Sequence, residues 1–291
     1  MRNKWMSTKY LVLFIVLTLA WTWVCGFIPV LSGFTGTPLG TFIFYFGGGA
    51  PSVVALFLVF LTYPEDKKKD YFLRCFSVKR SGWKWLLFTA FVFALLSAVS
   101  ILVGVGFFGF SMPTMDYIKA IASNPLNLLL VLLLSLISGP LNEEFGWRGY
   151  ALDRLLVRFG FLKGSLVLGF IWAIWHLPWY FTPGQAQYNL LRDSVFHALM
   201  FIPSVMLLSV FVSFVYVKTG RSILAGALVH MLSNLIGSQL LSSYTTEISM
   251  LIRYTNMAFF VGVIIYVVTS RRFRDEADAV IETIREMEQE A

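Results

Sequence analysis

Long apolar runs separated by short charged stretches set the rhythm of this chain, and few of them alternate polar and apolar residues as half-buried strands do. Crossing a hydrocarbon core of about 30 Å takes about 20 helical residues. Eight runs reach that length or nearly so: residues 10–31, 41–63, 85–108, 126–152, 164–180, 195–217, 223–241 and 257–270, the last being the shortest. The pattern predicts an all-α, polytopic transmembrane bundle of about eight helices. It forms one domain over residues 1–270 and is followed by a cytoplasmic amphipathic tail, 271–291. In that tail Phe273, Ala277, Val280, Ile281, Ile284 and Met287 recur at helical spacing, the signature of an interfacial helix or a packing face. A second polar appendage, residues 64–83, carries the charge run from Glu65 to Asp70.

Composition supports the membrane reading. Apolar residues make up 57% of the chain, charged residues 13% and aromatic residues 17%, far from a soluble average. Lysine and arginine collect in cytoplasmic loops. If both termini are cytoplasmic and eight helices alternate, twenty of the 23 basic residues fall inside, leaving only Lys119, Arg192 and Arg253 outside. The net charge of +7 is therefore a topology signal that draws the inner loops to anionic lipid, and nucleic-acid binding is not expected. The apolar stretch of the first helix exceeds the usual 7–15 residues of a signal peptide and lacks a small-residue cleavage site, so it reads as a retained anchor. Cys25 and Cys75 sit at different depths, which supports neither a disulfide framework nor a cysteine zinc site.

Three polar clusters interrupt three of the apolar helices. In the first, Glu144 and Arg148 stand four apart and share a helix face, whereas Glu143 is turned about 100° away. The helical pattern continues past them to Asp153 and Arg154, which sets Glu143 roughly 15 Å inside the boundary rather than at the end of the helix. Gly139-Pro140 just upstream forecasts a kink, a feature that in membranes accompanies cavities. The second cluster is His176 with Trp172 one turn before it, and the third is His230 with Asn234 at i, i+4. Taken singly, the second and third could be helix-to-helix hydrogen bonds. His197 falls near the outer end of the sixth span and reads as interfacial.

What raises them above that use is depth, since all three can meet in the inner half of the bundle. A buried carboxylate beside a histidine can take a proton from water, and an asparagine amide with an imidazole N–H can hold the oxyanion of a tetrahedral intermediate. This is equipment for peptide hydrolysis without a serine or cysteine nucleophile.

With those residues in view, the chain resembles the CPBP membrane proteins, which include the type II CAAX prenyl endopeptidases and the bacterial Abi and bacteriocin-immunity proteins. The family pattern is Glu-Glu-x-x-x-Arg, Phe-x-x-x-His and His-x-x-x-Asn, each in its own helix. Glu143, Glu144 and Arg148 match the first, and His230 and Asn234 the third. The second is matched at His176, but Trp172 stands where phenylalanine is usual. The resemblance covers a catalytic core of about residues 126–239. It implies that Glu143 activates water with His176 as partner, that His230 and Asn234 form the oxyanion hole, and that Glu144, Arg148 and Trp172 support them.

The resulting expectation is a metal-independent glutamate-type intramembrane endopeptidase with no cofactor. It would sit in a prokaryotic plasma membrane among its lipids and act on a peptide or protein substrate. The prenyl endopeptidases suggest a C-terminal tripeptide released from a lipid-modified cysteine. Two alternatives use the same polar site: a non-proteolytic immunity or scaffold protein or small transporter, although no inverted repeat is visible, and a zinc protease, although no His-Glu-x-x-His occurs.

Overall fold

The computed structural model describes residues 5–114, 116–236 and 245–289, and among them every regular element is a helix. The ends of the seventh predicted span and of the predicted catalytic core, from residue 237 on, lie outside the described residues, as do the last two residues of the tail. The helical membrane bundle that the hydropathy predicts is there. Where that pattern gives eight passes, five helical stretches among the described residues are long and apolar enough to cross, or six if one bent pair counts as a span.

The first stretch is α1 (Thr8–Leu31), which packs on the bent pair α2 (Pro38–Gly48) and α3 (Ala50–Thr62). The pair bends by 47°. Its cause is legible in Gly47-Gly48-Gly49 followed by Pro51, a run that cannot sustain a straight helix. Thr37 caps the start of α2, accepting a hydrogen bond from the Gly40 N–H at 3.1 Å.

Next comes α4 (Glu65–Phe76), which fills much of the predicted polar appendage and buries Tyr71, Arg74 and Cys75 against the bundle. Then α5 (Trp83–Phe108) crosses, and a short α6 (Asp116–Ala122) leads into α7 (Pro125–Ile137). Leu126, Leu128, Leu129, Leu130, Leu133 and Leu134 all stay exposed on α7, a face suited to acyl chains.

From Pro125 to Phe181 the chain is apolar and nearly all helical for 57 residues. It runs through α8 (Pro140–Gly146), one widened π-helical turn (Trp147–Leu152) and α9 (Asp153–Trp175). It is two helical limbs rather than one straight helix. At Gly160 the backbone takes φ 74° and ψ 177°, and a Cβ on Gly164 would lie 2.9 Å from the Leu155 carbonyl. A straight helix would hold those residues about 13 Å apart. The reversal falls in the gap between the predicted spans 126–152 and 164–180.

A 3₁₀ turn (Leu177–Phe181) and α10 (Ala186–Asp193) lead to α11 (Val195–Lys218), the main neighbour of α9. The next helix, α12 (Ile223–Asn234), has 12 described residues, short of a full crossing. In contrast α13 (Thr246–Thr269) is 24 residues long, well beyond the predicted 257–270. Glu247, Arg253, Thr255 and Asn256 dilute the hydropathy of its first half, which is why the sequence pattern cuts it short. Last, α14 (Arg271–Gln289) lays Phe273, Ala277, Ile281 and Ile284 against the bundle, with Phe273 ringed by Phe161 at 4.9 Å and Phe214 at 5.1 Å.

Candidate active site

Gly139, with φ −147° and ψ −69°, stops α7, and Pro140 starts α8, since a proline lacks the N–H that the first turn could not pair anyway. Glu143 therefore lies in the first turn of α8, where the unpaired N–H groups and the helix dipole favour negative charge. Close contact with α3 holds this turn in place. Ser52 Oγ donates to the Leu141 carbonyl at 2.8 Å, and Gly146 presses on Pro51, whose carbonyl oxygen would be 2.4 Å from any Cβ. The π-helical turn that follows disrupts the regular ladder, and Tyr71 Oη donates to the Phe145 carbonyl at 2.9 Å.

Glu143 and Glu144 point to different partners, as 100° of helical rotation requires. Glu144 Oε1 accepts from Arg148 Nη1 at 2.9 Å and pairs with His230 Nδ1 at 2.9 Å, and neither Glu144 nor Arg148 is exposed at all. Arg148 Nη2 also reaches Ser209 Oγ at 3.3 Å, and its Cζ lies 4.8 Å from the centre of the Trp172 ring. Gly226 admits the pair to α12, where a Cβ would stand 3.5 Å from Arg148 Cγ. This ties α8 and the π-helical turn to α11 and α12.

Glu143 is held by Trp172, whose Nε1–H donates to Glu143 Oε2 at 2.6 Å. The other oxygen, Oε1, lies 3.3 Å from where a Cβ on Gly139 would be, and Asn234 Nδ2 lies 3.8 Å from the same point. The carboxylate and the carboxamide thus both border a residue with no side chain. Trp172 serves as a hub. Its carbonyl bonds His176 Nδ1 at 2.9 Å, its ring stands 6.2 Å from that imidazole, and it meets His230 edge-on at 4.9 Å.

These contacts fix the chemistry of both histidines. A carbonyl only accepts, so His176 Nδ1 carries the proton and neutral His176 offers the lone pair of Nε2. Nδ1 of His230 is engaged by a carboxylate, so its Nε2 bears an N–H when the ring is imidazolium. Trp172 bonds both Glu143 and His176, the first through its indole N–H and the second through its carbonyl. The sequence offered an aromatic one turn before a histidine. It gave no indication that an indole N–H, which phenylalanine lacks, would face the carboxylate.

His197 lies apart, paired with Asp193 near the start of α11. Among the described residues, no three His, Cys, Asp or Glu side chains cluster as a metal site would need. A second buried charged group went unforeseen because its members are remote in sequence. Asp153 accepts from Tyr216 Oη at 2.7 Å and pairs with Arg221 and Arg74, binding α4, α9, α11 and the start of α12 together at the basic end of the bundle.

Comparison with known proteins bears on this same segment. Residues 125–236 match the family described as "Type II CAAX prenyl endopeptidase Rce1-like". CAAX prenyl protease 2 from Methanococcus maripaludis is 28% identical over 241 residues, covering 81% of this chain and 87% of the relative. The matched segment opens on the first residue of α7 and closes two residues past Asn234, so it holds every residue of the cluster described above. Motif and match agree, and the chain is similar to the peptidases of the CPBP family of membrane proteins.

Proposed function

We propose that the chain hydrolyses a peptide bond within the membrane with a water activated by Glu143. The observation that carries this reading is that Glu143 Oε1 and Asn234 Nδ2 both border Gly139, with Glu143 Oε2 already held by Trp172. Oε1 takes a proton from water as its oxygen adds to the substrate carbonyl carbon, and the carbonyl π pair moves onto oxygen. Asn234 Nδ2–H and the Nε2–H of imidazolium His230 donate to that oxyanion. His176 Nε2 accepts a hydrogen bond from the same water and orients it. The C–N bond then breaks, and the proton held on Glu143 passes to the leaving amine.

The likeness to the CAAX prenyl protease 2 of Methanococcus maripaludis supports a substrate with a C-terminal, lipid-modified cysteine motif. The charge bias of the loops supports an orientation with both termini cytoplasmic. Purified protein in proteoliposomes, given an S-farnesylated peptide, tests the chemistry. Glu143→Gln keeps an oxygen for the Trp172 N–H but loses the proton acceptor, and the rate should drop by about 10²–10⁴-fold. Asn234→Ala should lower turnover by about 10²–10³-fold with little change in KM. Full activity in a well-folded Glu143→Gln variant sinks the reading and returns the transporter or scaffold alternative to the front.

A further inference from the structure

Arg253, on α13, is a partly buried cation that its own fold leaves largely unused. Its Nη1 donates to Ser204 Oγ at 3.3 Å, its Nε is buried without a hydrogen-bond partner, and no carboxylate pairs with it among the described residues. Other arginines here are better served. Arg148 has Glu144, while Arg154 and Arg158 are capped by main-chain carbonyls: those of Tyr150 and Trp5 for Arg154, and those of Arg154 and Met6 for Arg158. A guanidinium offers five N–H donors in a planar fork matched to a carboxylate, and here one is taken.

Its position gives the unused donors a purpose. The Arg253 Cζ lies 5.8 Å from the centre of the Phe201 ring, and the same ring lies 5.2 Å from His176, so guanidinium and imidazole are within about 11 Å of each other. Tyr180, one turn past His176, completes this wall with its ring 6.0 Å from Phe201. Three extended residues span about 10–11 Å, enough to bridge any separation within that limit. A peptide cut three residues from its end would draw a free carboxylate into a low-dielectric bundle, where an unpaired charge is costly and a cation offsets it.

We propose that Arg253 anchors the C-terminal carboxylate of the substrate, so that the guanidinium measures the distance from the free end to the scissile bond. This rests on the protease reading above. A lipid phosphate is the competing anion, and it would not discriminate between peptide ends.

The test uses one S-farnesylated cysteine peptide followed by three residues, prepared with a free carboxylate and with a carboxamide, in proteoliposomes of fixed composition. The wild type should prefer the acid by at least about 10-fold in kcat/KM, mainly through KM. Arg253→Gln should bring the acid-to-amide ratio to about 1, and Arg253→Lys should retain part of the preference. A ratio unchanged in Arg253→Gln overturns the assignment, whether both rates stay or fall together as loss of a lipid or structural contact would make them. Equal cleavage of acid and amide by the wild type overturns it too. Cleavage of neither peptide by the wild type refutes the protease reading and the anchor with it, an outcome distinct from the others.

Discussion

Neutralising Glu144 should cost the protein far more stability than neutralising an exposed acid. The side chains of Glu144 and Arg148 are both 0% exposed, and the single oxygen Oε1 serves Arg148 and His230, each at 2.9 Å. With glutamine at 144, Arg148 keeps Ser209 and the Trp172 face, neither of which is an anion. Breaking a buried pair from one side costs about 3–5 kcal/mol. A glutamine carbonyl can still accept one hydrogen bond, worth about 1 kcal/mol, which leaves a loss of about 2–4 kcal/mol. Arg148→Gln should cost a similar amount, whereas the double variant removes both charges at once and should recover about 2 kcal/mol of the summed losses. The assay is reversible unfolding in mixed micelles on all four proteins. Glu144→Gln within about 0.5 kcal/mol of the wild type, or no coupling in the cycle, would refute the claim that this pair holds α8 to α12.

Trp172→Phe restores the aromatic usual in the family and deletes the donor 2.6 Å from Glu143 Oε2; kcat/KM should fall about 10–100-fold while the protein stays folded, and an unchanged rate would remove Trp172 from the positioning of the base. Gly146→Ala should abolish the folded state, because its Cβ would stand 2.4 Å and 2.6 Å from the carbonyl oxygen and carbon of Pro51, backbone atoms with nowhere to go; a monodisperse, active variant on size exclusion would contradict the close packing of α8 on α3. Reporter fusions after residues 35 and 115 should read as external and one near the C-terminus as cytoplasmic, and a cytoplasmic signal at either of the first two would overturn the topology.

The sequence made plain whatever depends on short-range periodicity. The spacing of Glu144 and Arg148 gave their ion pair, since four residues along a helix is a contact distance. The gap between residues 152 and 164 matched the reversal at Gly160, because a helix cannot carry φ near 74° except at glycine. The bend at Gly49 was in the sequence too, but the surrounding hydropathy is so uniform that a pattern of apolar residues passes over it. The hub role of Trp172 was not legible, since which way an indole N–H points is decided by packing against α8 and α12. Arg74, Asp153 and Arg221 are more than sixty residues apart along the chain, and their meeting is a property of the fold alone. Arg253 read as a marker of the outer side, because counting charges by loop assigns a side of the membrane and says nothing about partners.

The π-helical turn explains how one stretch of chain serves two unlike purposes. A single extra residue in a helical turn rotates everything after it by about 100° relative to what came before. Ahead of the turn, Glu143 and Glu144 look toward Trp172, His230 and Asn234. In its second half and just after it, Tyr150 and Arg154 instead face α1 and α3. Tyr150 sits 5.2 Å from Phe14 and 5.9 Å from Tyr63, and Arg154 bonds the Trp5 carbonyl and Tyr63 Oη. Without the rotation, 100° per residue would set Arg154 within about 20° of Glu143, on the face that holds the candidate site. The widened turn instead divides Glu143, Glu144, Arg148 and Arg154, sending the first three to the candidate site and the last to the anchor of the N-terminal segment. Its own cost is a loosened carbonyl ladder, offset where Tyr71 of α4 donates to Phe145. The charged helix α4 is thus coupled by one hydrogen bond to the backbone that carries the two glutamates.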